Sequence, residues 1–173
     1  MSSNKIKTMV TAAFFVALDI IVTRYLGFEF PSPMGPIKFD FQMVVAALCG
    51  YALGPVWGCL TLITSDLLGV MLNSGTLGMF FGFTVSAMMR GLLFGFFLHN
   101  KQIKPTRIIL SIALVFIPVD LFLNTLWLSM LIGTPYFPLL VSRIIPKMIL
   151  MMIEMAVVLC MPKLFTIVRL RKE

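Results

Sequence analysis

The chain has 173 residues, of which 60% are hydrophobic and 12% charged, with a mean hydropathy of +1.02 and a formal net charge of +7. So apolar a composition excludes an ordinary soluble domain, and several runs of about 20 apolar residues are each long enough to cross a bilayer core of about 30 Å. The basic residues cluster at the ends of those runs, which points to a lipid bilayer and excludes a nucleic-acid partner. Cys49, Cys59 and Cys160 share no paired spacing, so no disulfide, metal site or cofactor is expected of them.

After a short basic leader, a first helix is expected over about 6–27, too long an apolar run for a cleaved signal. Ala12, Ala13 and Ala17 put small side chains about a turn apart on it, where another helix can approach closely. Asp19 lies near mid-depth and Arg24 near the far end, each a partner for other buried polar groups. Residues 28–41, FEFPSPMGPIKFDF, carry three prolines and a glycine among aromatics and charges, and read as a loop able to cover a site or to lie in the interface. Helices two and three are expected over about 42–53 and 56–73, separated by the Gly54-Pro55 turn. Gly50, Gly54 and Gly58, then Gly78 with Gly82 and Gly91 with Gly95, repeat every four residues and mark packing seams.

The turn at Ser74-Gly75-Thr76 leads to helix four, about 77–99. Asp66 on helix three and Arg90 on helix four come to similar heights at about 1.5 Å per residue, and are expected to form a structural ion pair. Helix five covers about 105–132, with a kink at Pro118 and with Asn124 and Trp127 on one face. Helix six covers about 138–168. The expected fold is an all-α membrane protein, a compact bundle of six transmembrane helices forming one domain over 1–173.

Six spans place both termini on one side. Lys5, Lys7, Lys101, Lys104, Arg107, Lys163, Arg169, Arg171 and Lys172 fall on that side, against Lys38 and Arg24 on the other, so the termini are expected in the cytoplasm. His99 is expected at headgroup level on the cytoplasmic side. Arg143 and Lys147 then lie about 8 to 14 Å below the outer surface. Four residues apart on a helix, they point the same way, and two cations on one inward face call for anions. With Tyr136 and Phe137 near the mouth, the pattern points to a membrane-embedded pocket for a small acidic, aromatic molecule. No P-loop, HExxH, GxSxG or CxxC motif is present, and Asp66 with Asp120 is weak support for a catalytic pair. No catalytic residue is assigned. A bundle this small, without an inverted repeat, suits capture of a ligand rather than powered transport, and so calls for a partner.

GPVWGCLTLITSDLLG (54–69), GFTVSAMMRG (82–91) and the LNTLWLS and RIIPK segments between 123 and 147 resemble the substrate-binding S components of energy-coupling factor (ECF) vitamin transporters, the folate-specific type among them. The resemblance spans nearly the whole chain. It implies a subunit of the cell membrane that captures folate from outside and docks on a transmembrane scaffold, the T component, carrying two cytoplasmic ATPases. It also implies that the AxxxA pair Ala13 and Ala17 forms the docking face. On this reading the aromatic rings of folate stack on Phe83, Trp127 and Tyr136, its pterin edge meets Thr84, Asn124 or Asp120, and its glutamate carboxylates meet Arg24, Arg143 and Lys147. Two alternatives stand beside it: an S component for another vitamin such as riboflavin or pantothenate, and a structural subunit of a membrane complex.

Overall fold

The computed structural model describes residues 3–30, 37–72, 78, 80–102 and 104–160. Helix α1, Ser3–Ile20, runs directly into a wider π-helical turn, Ile21–Tyr25. Two short strands follow, β1 (Phe28–Phe30) and β2 (Ile37–Phe39), paired antiparallel with Phe28 opposite Phe39, Glu29 opposite Lys38 and Phe30 opposite Ile37. The segment expected to be an irregular loop is therefore a β-hairpin. Phe-Glu-Phe and Ile-Lys-Phe alternate apolar and charged residues with the period of two that a strand requires. The prolines between them, and the expected turn at 74–76, lie outside the described residues.

Helix α2, Gln42–Leu72, is broken at Gly54, whose φ of 83° and ψ of −177° are open to glycine but strained for other residues. A Cβ on Gly58 would stand 3.4 Å from the Cα of Gly50, so the chain folds back at the break and its two arms lie side by side. The second and third expected helices are thus two arms of one element. The described residues hold five helical elements, one of which, α2, is bent back on itself at Gly54 so that its two arms supply the second and third expected spans. His99 covers the break: its Nδ1 donates to the Tyr51 carbonyl at 3.1 Å, and its ring packs 3.1 Å from where a Gly54 side chain would begin.

Helix α3, Phe81–Leu98, packs on α2 along the glycine seam. A Cβ on Gly91 would lie 2.6 Å from the Gly58 carbonyl oxygen, and one on Gly95 would lie 2.3 Å from the Cα of Pro55. Only hydrogen allows this approach. Helix α4, Pro105–Val115, passes through a π-helical segment, Phe116–Leu123, into α5, Asn124–Ile132. Pro118, which has no N–H to give, sits in the widened segment, where the ordinary helical ladder is already interrupted.

Helix α6, Tyr136–Cys160, starts two residues before the expected Pro138. Proline is tolerated in a first turn because N–H groups there have no intrahelical acceptor. Residues 161–173, with four of the terminal cations, lie outside the described residues. Four helical stretches, Lys5–Tyr25, Gln42–Leu72, Phe81–Leu98 and Pro105–Ile132, are long and apolar enough to cross a membrane. α6 has the length as well, but carries Arg143, Lys147 and Glu154.

Candidate ligand-binding cavity

The inward stripe of α6 explains those charges. Its buried residues are Leu139, Arg143, Leu150, Glu154 and Val158, and Lys147 completes the spacing between Arg143 and Leu150. All three ionisable groups therefore project from one face into a cavity with about 1180 Å³ of unfilled space, its open mouth included. Asp19, Thr23 and Arg24 reach the cavity from α1 and its π turn, and Phe116 and Asp120 from the second π segment. Phe80 and Phe83 add aromatic surface, their rings 5.8 Å apart edge to face. Glu29 and Lys38 of the hairpin also line it.

Charge pairing singles out one group. Six carboxylates and five cations line the cavity, and the pairs Arg24–Asp66 (3.6 Å), Lys38–Asp40 (3.3 Å) and Arg90–Asp120 (2.5 Å) leave Arg143 and Lys147 without a carboxylate among the described residues. Lys147 Nζ donates to the Lys38 carbonyl at 3.1 Å, tying α6 to the hairpin. Arg143 is 6% exposed, and its Nε and Nη1 have no hydrogen-bond acceptor. A buried guanidinium left in that condition is strongly unfavourable, and an incoming anion such as a carboxylate is the kind of group that satisfies it.

Other buried groups hold the cavity in shape. Glu154 accepts the Met43 backbone N–H at 3.3 Å and Asp40 accepts that of Gln42 at 3.0 Å, so two carboxylates cap the start of α2, where helical N–H groups lack partners. Asp40 lies in the connector before α2. Burial pushes its pKa up, but Lys38, Lys147 and Arg90 together with the Gln42 N–H outweigh that and hold it below the ordinary carboxylate value. Arg90 also donates to Gln42 Oε1, and Ser65 donates to Asp19.

Of the residues expected to bind ligand, Arg24, Phe83, Asn124, Arg143 and Lys147 line the cavity; Thr84, Trp127 and Tyr136 do not. Thr84 donates to Asp66 at 2.7 Å. Trp127 donates from Nε1 to Ser86 at 3.2 Å and lies over Gly82, with its ring centroid 6.1 Å from that of Phe80, so it backs the aromatic wall. Tyr136 stacks edge to face on Phe137 at 5.7 Å, at the start of α6.

The expected Asp66–Arg90 pair does not form. Arg24 lies over Gly69, where a Cβ would come within 3.0 Å of its Nε, and so reaches Asp66; Arg90 turns to Asp120. Matching heights on adjacent helices left the direction of each side chain undetermined. Asp19, Lys38, Asp40, Gln42, Phe80, Phe116 and Glu154 are cavity residues that sequence reasoning did not place there. Glu154 had a signal: it stands seven residues from Lys147, on the same helical face.

A family profile described as "ECF transporter, substrate-specific component" matches residues 7–168. The chain belongs to the ECF substrate-specific (S) components. A folate transporter, FolT, of Clostridium novyi (strain NT) is 32% identical over 156 residues, covering 90% of this chain and 87% of the relative. One from Leuconostoc mesenteroides is 27% identical over 148 residues, covering 83% and 75%. Among solved structures, a crystal structure of FolT bound with folic acid aligns with a TM-score of 0.77 at 27% identity, covering 88% of this chain and 90% of that one. An S component for biotin aligns at 0.65 and 22% identity, covering 100% and 95%, and shares the fold. As an S component the chain is a multi-pass membrane protein.

Proposed function

We propose that this S component binds folate in the cavity beneath its hairpin and delivers it inward when docked on an energising module. The observation that carries the reading is Arg143, a buried guanidinium with two unsatisfied nitrogens, lining a space shared with Phe80, Phe83 and Phe116. A ligand with flat rings and a carboxylate answers both features. Folate has them, and the relatives at 32% and 27% identity are folate transporters.

Orientation follows from the charge asymmetry: Lys5, Lys7, Lys101, Lys104 and Arg107 favour a cytoplasmic end in the cell membrane for both termini, with the hairpin outside. Ala13 and Ala17 are exposed on α1, beside the exposed Val10, Phe14 and Ile21, a face on which a T component can pack closely. ATP hydrolysis then belongs to two cytoplasmic ATPases joined to that partner. Tryptophan fluorescence of the purified protein in detergent tests the ligand, with riboflavin and pantothenate as controls. Trp57→Phe leaves Trp127, which backs the cavity wall, as reporter. Saturable quenching by folic acid alone is expected; quenching by another vitamin instead would move the chain to that substrate, and silence toward all three would favour a structural subunit.

A further inference from the structure

Besides Arg143, the cavity is lined by three unsatisfied acceptors, Asp19 Oδ1, Asp120 Oδ2 and Asn124 Oδ1; Asp120 is already paired with Arg90, whereas Asp19 has no cation partner among the described residues. Asp19 is 1% exposed and lines the same space, yet its Oδ1 has no hydrogen-bond donor. Its other oxygen is fixed: Oδ2 accepts from the Ser65 hydroxyl and from Gln42 Nε2 at 3.5 Å, and the Gln42 amide is oriented in turn by Arg90, which donates to its oxygen. A buried carboxylate and a buried guanidinium face one cavity and neither neutralises the other. Their helices explain why. α1 packs chiefly on α2, whereas α6 packs on α4, α5, the π segment between them and α2, so Asp19 and Arg143 enter the cavity from helices that do not pack closely on each other.

A ligand that satisfies both must carry an acid at one end and N–H donors at the other. We propose that Asp19 is the specificity-determining residue for the heterocyclic end of the ligand, its Oδ1 accepting N–H groups from an amino-substituted pyrimidine edge while Arg143 holds the opposite, acidic end. The inference rests on the folate reading and adds the direction in which the molecule lies. Ser65 and Gln42 act as positioning residues, holding Asp19 Oδ2 so that Oδ1 stays turned to the cavity. A folate-like molecule meets both conditions, because its pterin carries the donor edge and its glutamate the acids.

Equilibrium binding to the full chain in detergent separates the two ends. Three ligands suffice: folic acid, its 4-amino counterpart aminopterin, and 4-aminobenzoylglutamate, which lacks the heterocycle. Asp19→Asn should weaken folic acid by about 10- to 100-fold, the range for a hydrogen bond to a charged group. Aminopterin, whose more basic pyrimidine gains more from a carboxylate, should lose at least as much. Binding of 4-aminobenzoylglutamate should be unchanged, whereas Arg143→Ala should weaken all three.

Should Asp19→Asn fail to fold, Ser65→Ala, which releases Asp19 Oδ2, is expected to give a smaller loss with the same selectivity for ligands that carry the heterocycle. Equal losses for ligands with and without the heterocycle would overturn the inference, as would no loss at all. Failure of the wild type to bind folic acid would overturn it together with the folate reading. Binding indifferent to Asp19 would overturn the inference alone.

Discussion

Arg143 and Lys147 show how one spacing in the chain becomes chemistry. Four residues apart, they share the inward stripe of α6, but their surroundings divide their roles: Lys147 is engaged by the Lys38 carbonyl, and Arg143 has unsatisfied N–H groups. Arg143→Ala should therefore cost folate about 1.5 to 3 kcal/mol of binding, the worth of a charged hydrogen bond. Lysine at that position should not restore it, because an ammonium cannot match the planar fork of the guanidinium to a carboxylate. Comparing folate with an analogue lacking the glutamate checks the assignment: the analogue should lose less, and equal losses would contradict it. The α6 cations were legible from their spacing alone. Asp19 was not placed, because its holding partners Ser65 and Gln42 are remote in sequence and meet it only through packing.

At the scale of elements, bilayer physics made most of the architecture readable. Apolar length and internally satisfied backbone leave little besides helices for such a chain, and glycines at four-residue spacing announced the α2–α3 seam. What escaped were the hairpin, the two π-helical segments and the pairing of Asp66. Strands of three residues give a faint periodic signal, and π widening depends on how a proline or a buried polar group is accommodated by neighbouring helices.

The hairpin carries its own prediction. Asp40 caps α2 and pairs with Lys38, and its pKa is depressed in the fold, so its stabilisation is fully present above the unfolded carboxylate value of about 4 and is lost as pH falls through the lower folded value. Measured against the intrinsic exchange rate at each pH, protection of amides across 37–43 should fall in that acid window for the wild type. In Asp40→Asn it should already be low at neutral pH and change little on acidification. Protection in the variant equal to that of the wild type at neutral pH would show that Asp40 does not hold the hairpin to the start of α2.

For the whole molecule, binding and delivery should be separable. The cavity faces inward from α1, α2, α3 and α6, whereas Ala13 and Ala17 lie on the exposed face of α1. Ala13→Leu or Ala17→Leu should abolish folate uptake by cells or by vesicles containing the complete transporter, while leaving binding by the isolated subunit unchanged. Loss of binding in the isolated variants would place those alanines in the internal packing of the bundle.

The most direct test of that division is a calorimetric titration of folic acid into the purified chain, with no other subunit present. Saturable binding at one molecule per chain is predicted, since Arg143, Asp19 and the aromatic wall all belong to this polypeptide. An absence of binding, in a preparation shown to be folded, would contradict the claim that this cavity is by itself a complete folate site.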